Sequence, residues 1–392
     1  MAEPFRIQTL NNISARGLDR LPRERYEVAS ELPQPDAILL RSTDMHKLDI
    51  PASVCAVARA GAGTNNVPVA QLTARGVPVF NTPGANANAV KELVLAGLFL
   101  AARNIGPAWL FARGLSGDDA AIDAAVEKGK KAFVGFELPG RTLGVVGLGA
   151  IGGEVANSAL ALGMNVLGYD PLITVQHAWT LSADVQQALS LDDLFSRSDV
   201  VSVHVPISEG TRNLVNASRI ALMPRGGVVL NFSRAGIVDV PAVLAALDAG
   251  HLHGYVCDFP TNATKDHPKV ITLPHLGAST VEAEENCAVM AVDQLRDFLE
   301  NGNIRNSVNY PEAVMPRTAR TTRLAIANSN VPNMVGQIST LLAGAGINIA
   351  DLLSKSRGDV AYALIDVDGP VDAAVCGQIR AIEGVLSVRS IA

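Results

Sequence analysis

The chain's 392 residues exceed what one hydrophobic core usually supports, so two or three domains are expected, and 48% of the residues are apolar. A net charge of −6 argues against nucleic acid as a partner; the longest strongly apolar helical run, Leu93 to Ala102, falls far short of a membrane span, and the N-terminus lacks the layout of a signal peptide. A soluble, cytoplasmic protein with no membrane partner is the expectation. Cys55, Cys257, Cys287 and Cys376 are scattered without a C-x-x-C pair and read as reduced thiols rather than a disulfide framework, and no metal site is expected.

In chain order, residues 1 to about 100 alternate short strands and helices. Ile38 to Arg41, Val54 to Ala58 and Val77 to Phe80 are strand-like, and Val69 to Arg75 is helical. Two glycine-bearing loops close these strands, Arg59 to Gly63 (RAGAG) and Asn81 to Ala85 (NTPGA). A nearly all-apolar helix that must be buried follows at Asn86 to Asn104. Ligands of such sheets bind at the carboxyl ends of strands, which makes both loops candidates. Gly106 to Lys131 reads as helical and polar.

Leu143 to Val146 then forms a short apolar strand, with Gly147, Gly149 and Gly152 in G-x-G-x-x-G spacing behind it, a helix over Glu154 to Leu162, and a strand from Asn165 to Tyr169. The first glycine permits the turn, the second lets a pyrophosphate approach and the third lets helix and strand pack closely. Asp170 ends the second strand, where a carboxylate accepts hydrogen bonds from the adenosine ribose. The unit therefore predicts an NAD site. Strands at Val200 to Val205, Gly227 to Asn231, Tyr255 to Asp258 and Val270 to Leu273 alternate with helices at Asp192 to Phe195, Ala217 to Met223 and Val240 to Ala249. Arg234, Asp258 and His275 stand at strand ends. Arg234 offers a planar donor fork for a carboxylate or carbonyl oxygen, and His275 suits proton exchange near neutral pH. His204, inside an apolar strand, reads as a core residue or a backbone neighbour of the cofactor.

A helix over Val281 to Glu300 ends at Gly302, and Asn309 to Thr322, with Pro311, Pro316 and several arginines, reads as a linker. The tail from Arg323 shows strand, helix, strand, strand, helix, strand. Its strands are Leu324 to Ala327, Ile347 to Lys355, Val360 to Asp366 and Val385 to Ile391, and its helices Met334 to Ala343 and Val371 to Ile382. The fold class expected is α/β, with two Rossmann-like doubly wound parallel-sheet domains and a C-terminal α+β (βαββαβ) domain. A discontinuous substrate domain spans 1–103 and 279–306, an NAD-binding domain 104–278, a linker 307–322 and a tail domain 323–392.

With Arg59 to Gly63, Asn81 to Pro83, Gly147 to Gly152 with Asp170, Asn231 to Asp239 (NFSRAGIVD) and Pro274 to Thr280 (PHLGAST) in hand, the chain resembles the D-2-hydroxyacid dehydrogenases over nearly its whole length, most closely those of 3-phosphoglycerate that carry a C-terminal ACT domain. The resemblance implies oxidation of 3-phosphoglycerate at C2 to 3-phosphohydroxypyruvate with hydride passing to NAD, the first step of L-serine biosynthesis. It implies Arg234 and His275 as the catalytic pair. Thr82, Gly147, Gly149, Ala150, Ile151, Gly152, Asp170, Val205, Phe232, Ser233, Arg234, Asp258, His275, Gly277 and Ala278 would bind the cofactor. Arg59, Ala60, Gly61, Ala62 and Gly63 would hold substrate, with Lys130 or Lys131 reaching a neighbouring subunit's phosphate. Feedback by L-serine through Asn330 and Asn348, and a homodimer or homotetramer, are implied as well.

One departure stands out. The family usually places a glutamate about five residues after the aspartate matching Asp258, whereas this loop reads DFPTN over Asp258 to Asn262. Asp266, Asn262 or water are the alternatives beside His275. Two other readings compete: another dehydrogenase of the same core, such as a glyoxylate or hydroxypyruvate reductase, and an NAD-sensing corepressor, which would need a peptide cleft and would carry no such tail.

Overall fold

The computed structural model describes residues 3–392. Strands β1 (Phe5–Leu10), β2 (Tyr26–Ala29), β3 (Ala37–Leu40), β4 (Ala56–Arg59) and β5 (Val79–Phe80) form a parallel sheet in the order β2-β1-β3-β4-β5. β3 is buried along its whole length, as a strand covered on both faces must be. β1 alternates polar side chains around a single buried residue, Ile7, so no apolar run announces it.

The second sheet holds β6 (Thr142–Val146), β7 (Asn165–Tyr169), β8 (Gln186–Gln187), β9 (Val200–Val203), β10 (Gly227–Asn231), β11 (Leu252–Cys257) and β12 (Val270–Thr272), all parallel, in the order β12-β11-β10-β9-β6-β7-β8. The chain works outward from β6 through β7 to β8, then returns to β9 on β6's other side. That reversal is the switch point at which doubly wound sheets bind ligands. Helix α1 (Ala87–Ala102) belongs to this sheet's core, where Val90, Val94 and Leu98 pack with Val145, Leu230 and Val256. Helices α2 (Ile105–Arg113) and α3 (Asp119–Gly129) follow it, and α4 (Ala150–Ala161) crosses from β6 to β7.

Helix α5 (Val281–Asn301) returns to the first sheet, burying Ala291, Leu295 and Phe298 with Leu39, Ala58 and Phe80. The tail folds as β13 (Thr321–Ser329), α6 (Met334–Gly344), β14 (Ile349–Arg357), β15 (Val360–Asp368), α7 (Ala373–Arg380) and β16 (Val385–Ile391), an antiparallel sheet in the order β14-β15-β13-β16. Alternation sorts its faces: Leu324, Ile326 and Ile365 meet the two helices, while Ala325, Ala327 and Leu364 enter the same core as Phe298. Two compact units result. One holds the residues up to Ala85 together with Val281–Ala392, the other Asn86–Thr280. The chain changes unit at the N-terminal ends of both long helices.

The segment read as a linker is irregular but not a free tether. Tyr310, Ala313 and Met315 are buried, Ala313 bridges Ile304, and the Tyr310 hydroxyl donates to the Thr73 carbonyl at 2.8 Å. Its prolines signal absence of regular structure, which is a different property from exposure. Among the described residues no single helix is long and apolar enough to cross a membrane.

Candidate active site

In the second unit the expected residues gather along one edge, at the carboxyl ends of β6, β7, β9, β10, β11 and β12. Gly147 follows β6 with φ +89°, and a Cβ there would lie 2.6 Å from the His204 carbonyl oxygen. A Cβ on Gly152 would fall 1.8 Å from the Gly147 oxygen, so helix α4 could not seat against the strand. Gly149 differs: open space surrounds its missing Cβ, and no side chain caps α4, which begins at Ala150 beside Ile151. Open space at the turn beside an uncapped, electropositive helix start is what a pyrophosphate needs. Asp170 receives the backbone N–H groups of Leu148 and Leu172, each at 2.9 Å. Those bonds fix the carboxylate beside the turn and leave it lone pairs for ribose hydroxyls.

From β9, His204 shows the turn its carbonyl, while its ring bonds the Ser202 hydroxyl at 2.8 Å. Burial drops that ring to a pKa of about 4, so it is neutral near pH 7. Val205 continues the edge, its carbonyl accepting the Ser233 hydroxyl at 2.6 Å. At the end of β10 the fully buried Asn231 braces the next turn, donating to the Arg234 carbonyl at 3.0 Å and accepting from the Ser233 N–H at 3.2 Å. Phe232 is buried beneath, and the Arg234 guanidinium projects to solvent with one bond to the Ser233 carbonyl.

Asp258 follows β11. It is 1% exposed, and its Oδ1 has no hydrogen-bond partner. Burial pushes this carboxyl up, opposed by His275, the Gly277 N–H and Arg234. A buried acceptor left open beside a cofactor turn is a site awaiting a donor. His275 N–H donates to the carbonyls of Asp258 and Leu273, both at 3.1 Å, and its backbone takes φ +49°. A non-glycine residue in that region stores on the order of 1–3 kcal/mol of strain, which marks functional positions. The ring is exposed and packs 5.3 Å from the Phe259 ring; Gly277 behind it is buried and Ala278 half-buried. Sequence reasoning misses Phe259, although its place in the same short loop is a signal. Asp266, a candidate neighbour of His275, is 82% exposed at its side chain and pairs with Lys265, and Asn262 is exposed.

The first unit carries the other candidates. Arg59 ends β4 and donates from Nε to the Arg41 carbonyl at 3.0 Å, and its guanidinium lies where a Cβ on Gly61 would stand, 2.0 Å from that position. The loop from Ala60 through Ala62 to Gly63 is tied to the second glycine loop, since Thr82 N–H donates to the Gly61 carbonyl and the Asn81 amide to that of Ala62. The Thr82 hydroxyl is buried without a partner among the described residues. In the second unit Lys130 and Lys131 lie on a short turn after α3, both exposed, with Lys130 paired to Glu127. In the tail, the Asn330 amide donates to the Gly358 carbonyl at 2.9 Å and the Asn348 amide to Asp368 at 2.7 Å.

Residues 107–277 match the family model described as D-isomer specific 2-hydroxyacid dehydrogenase, NAD binding domain. The chain is 32% identical over 341 residues to D-3-phosphoglycerate dehydrogenase of Haemophilus influenzae, covering 83% of this chain and 78% of that one. It is 28% identical over 404 residues to D-3-phosphoglycerate dehydrogenase 1 of Saccharomyces cerevisiae, covering 93% and 82%. Among solved structures, the TT0316 protein of Thermus thermophilus superposes with a TM-score of 0.63 at 29% identity, over 78% of this chain and all (100%) of that one. With its glycine turn, the acid that follows β7 and a buried open acceptor, a set that fits NAD, the chain belongs to the D-isomer specific 2-hydroxyacid dehydrogenases.

Proposed function

We propose that the protein oxidises 3-phosphoglycerate to 3-phosphohydroxypyruvate in the cytoplasm, at the entry to L-serine synthesis. The observation that carries the chemistry is the presentation of Arg234 and His275 on the same strand-end edge as the glycine turn. NAD supplies the hydride acceptor. Arg234 holds the substrate carboxylate and C2 oxygen through its donor fork, and His275 takes the C2 hydroxyl proton as the carbonyl forms. Residues 86–280 serve the cofactor, since the helix over 87–102, expected in the substrate domain, packs in the core of the second sheet; residues up to 85 with 281–306 serve the substrate, with Arg59 and the N–H groups of Ala60 to Gly63 as anion donors. Names of relatives at this identity support 3-phosphoglycerate as the substrate. NADH formation from 3-phosphoglycerate and NAD by the purified protein is the test. His275→Ala should lower kcat by roughly 10²–10⁴-fold. Turnover of glyoxylate or hydroxypyruvate in preference to 3-phosphoglycerate would overturn the substrate assignment.

We further propose that the βαββαβ tail is an ACT domain that binds L-serine through Asn330 and Asn348. Asn330 lies at the Val360 end of β15 and Asn348 at its Asp368 end, a strand length of roughly 25–30 Å apart. A single small zwitterion cannot touch both within one chain. β14, however, is an exposed edge strand running from Asn348's end to the Gly358 turn. Antiparallel pairing of β14 with its copy about a two-fold axis brings Asn348 beside Asn330 of the partner subunit, giving two equivalent sites per dimer. The exposed Trp109 (57%), Leu110 (65%) and Val134 (76%) supply a second apolar surface, which supports a homodimer or homotetramer. Calorimetry with L-serine should show binding that is lost in Asn348→Ala. A monomeric protein in solution would sink the shared site.

A further inference from the structure

Within the first unit, the carboxyl ends of β1, β3 and β4 are tied into one short platform. After β3 the segment Arg41 to Thr43 has no regular structure, and two carboxamides take up its backbone groups. Asn11, the residue after β1, sits in the left-handed region at φ +79°, and its Oδ1 accepts the N–H groups of Ser42 at 3.0 Å and Thr43 at 2.8 Å. Asn66 donates through Nδ2 to the carbonyls of Arg41 at 3.1 Å and Thr43 at 2.8 Å. Its own backbone carbonyl accepts the Met45 N–H at 2.8 Å. The Asn66 Oδ1 is buried with no partner among the described residues. A bare buried acceptor is costly, so packing alone does not account for an asparagine there. What the residue contributes is a pair of donors aimed at two nearby carbonyls.

Arg59, at the end of β4, uses the same oxygen. The Arg41 carbonyl that Asn66 holds also accepts Arg59 Nε at 3.0 Å. On its other flank the guanidinium covers Gly61, where a Cβ would stand 2.0 Å from Nη1. The arginine thus lies in a slot with a carbonyl for one wall and a missing side chain for the other. With Nε given to the protein, an anion is met by the Nη groups, and their direction follows from where the Arg41 oxygen stands. A long side chain free to turn loses that freedom when it binds, whereas one already seated does not.

We infer that Asn66 and Asn11 are positioning residues for the substrate: by holding the backbone of Arg41 to Thr43 from its C=O and N–H sides, they fix the Arg41 oxygen and through it the Arg59 guanidinium. They act through Arg59 rather than on the substrate themselves. This rests on the reading of Arg59 as an anion donor to the substrate.

The test uses the full chain with Asn66→Leu, Asn11→Gly and Arg59→Met, and with each asparagine change combined with Arg59→Met. Asn66→Leu keeps the branched shape and removes the donors; Asn11→Gly keeps the left-handed backbone and removes the amide. Each should raise KM for 3-phosphoglycerate about two- to tenfold, as the loss of a neutral hydrogen bond or two does, with kcat and KM for NAD within about twofold. Arg59→Met should raise that KM further, and in its background the asparagine changes should add nothing, because the guanidinium they act through is gone. Nuclear magnetic resonance of protein isotope-labelled at arginine Nε supplies a readout without substrate. The Arg59 Nε–H signal, identified by its loss in Arg59→Met, should shift and exchange faster with water in both asparagine variants. An unchanged KM in those variants while Arg59→Met raises it would overturn the inference, and so would a raised KM that adds in full to that of Arg59→Met, or an Nε–H signal that does not move. A lowered kcat with both KM values raised and Tm reduced would make the platform merely structural and overturn it as well. Should Arg59→Met itself leave KM for 3-phosphoglycerate at the wild-type value, the anion role of Arg59 falls, while the Nε–H signal still decides whether the two asparagines seat its side chain.

Discussion

Arg234 and His275 are held by different means. Arg234 takes extended backbone on a turn that the Asn231 amide ties from both sides, and His275 is pinned in the left-handed region by its own N–H bonds. Arg234→Lys keeps the charge and discards the planar fork, so steady-state kinetics should show a higher KM for substrate and a lower kcat together. Asn231→Ala should do the same more weakly, without altering either side chain. His204 gives a pH signature. Its folded value of about 4 lies below the ordinary 6.5, so as pH falls the unfolded chain takes the proton first. The stability from the neutral ring is complete above 6.5 and drains as pH falls toward 4, by on the order of 3 kcal/mol. Urea unfolding across that window should show the loss in wild type and a flatter profile in His204→Asn.

The strand-turn-helix of β6 and α4 separates architecture from function among its glycines. Gly152→Ala drives a methyl into the Gly147 carbonyl and Gly147→Ala into that of His204, so both should lower Tm and abolish NAD binding. Gly149→Ala meets open space. It should fold with near-normal Tm yet bind NAD more weakly, because its methyl would stand in the open space over the glycine turn; calorimetry with thermal melts on the same preparations separates the two outcomes. Elements whose signal is local were legible in the sequence. Asn165–Tyr169, Gly227–Asn231 and Val385–Ile391 are strands at the limits of their apolar runs, and the strand-end placement of Arg234, Asp258 and His275 follows from Gly227–Asn231 and from the runs at Tyr255 and Val270. Elements whose reason is tertiary were not. β1 buries only Ile7 and β8 has two exposed glutamines, so each exists because a neighbouring strand offers hydrogen bonds. The bracing amide of Asn231 and the Phe259 ring against His275 depend on where loops close, which spacing alone does not encode.

At the scale of the molecule, the tail is built into the first unit. Arg323 is fully buried, and its five hydrogen bonds reach Asp366 twice, Asn301, Met315 and Pro316, joining helix, connector and tail sheet. Burial alone would raise the Asp366 carboxyl, but Arg323 and the Thr318 N–H bring it below the ordinary range. Arg323→Met leaves that carboxylate unpaired and should cost about 3–5 kcal/mol in denaturant unfolding, with partial recovery in the Arg323→Met, Asp366→Leu double variant. Deleting residues 317–392 should leave the first unit molten by hydrogen exchange, since Phe298 and Leu295 lose part of their cover. Residues 86–280 alone carry two complete cores of their own. Expressed as a fragment, they should fold and bind NAD. The shared core of β1–β5, α5 and the tail also sets an order of events during synthesis. At about 5–20 residues per second, a ribosome needs roughly 15–60 s to travel from Ala85 to Ile391. Throughout that interval the first sheet lacks the helix and the sheet that cover it, while Asn86–Thr280 can collapse on itself as soon as Thr280 is made. The first sheet is made before the second and finished after it, and its exposure to chaperones and proteases is timed by the arrival of α5 and the tail sheet.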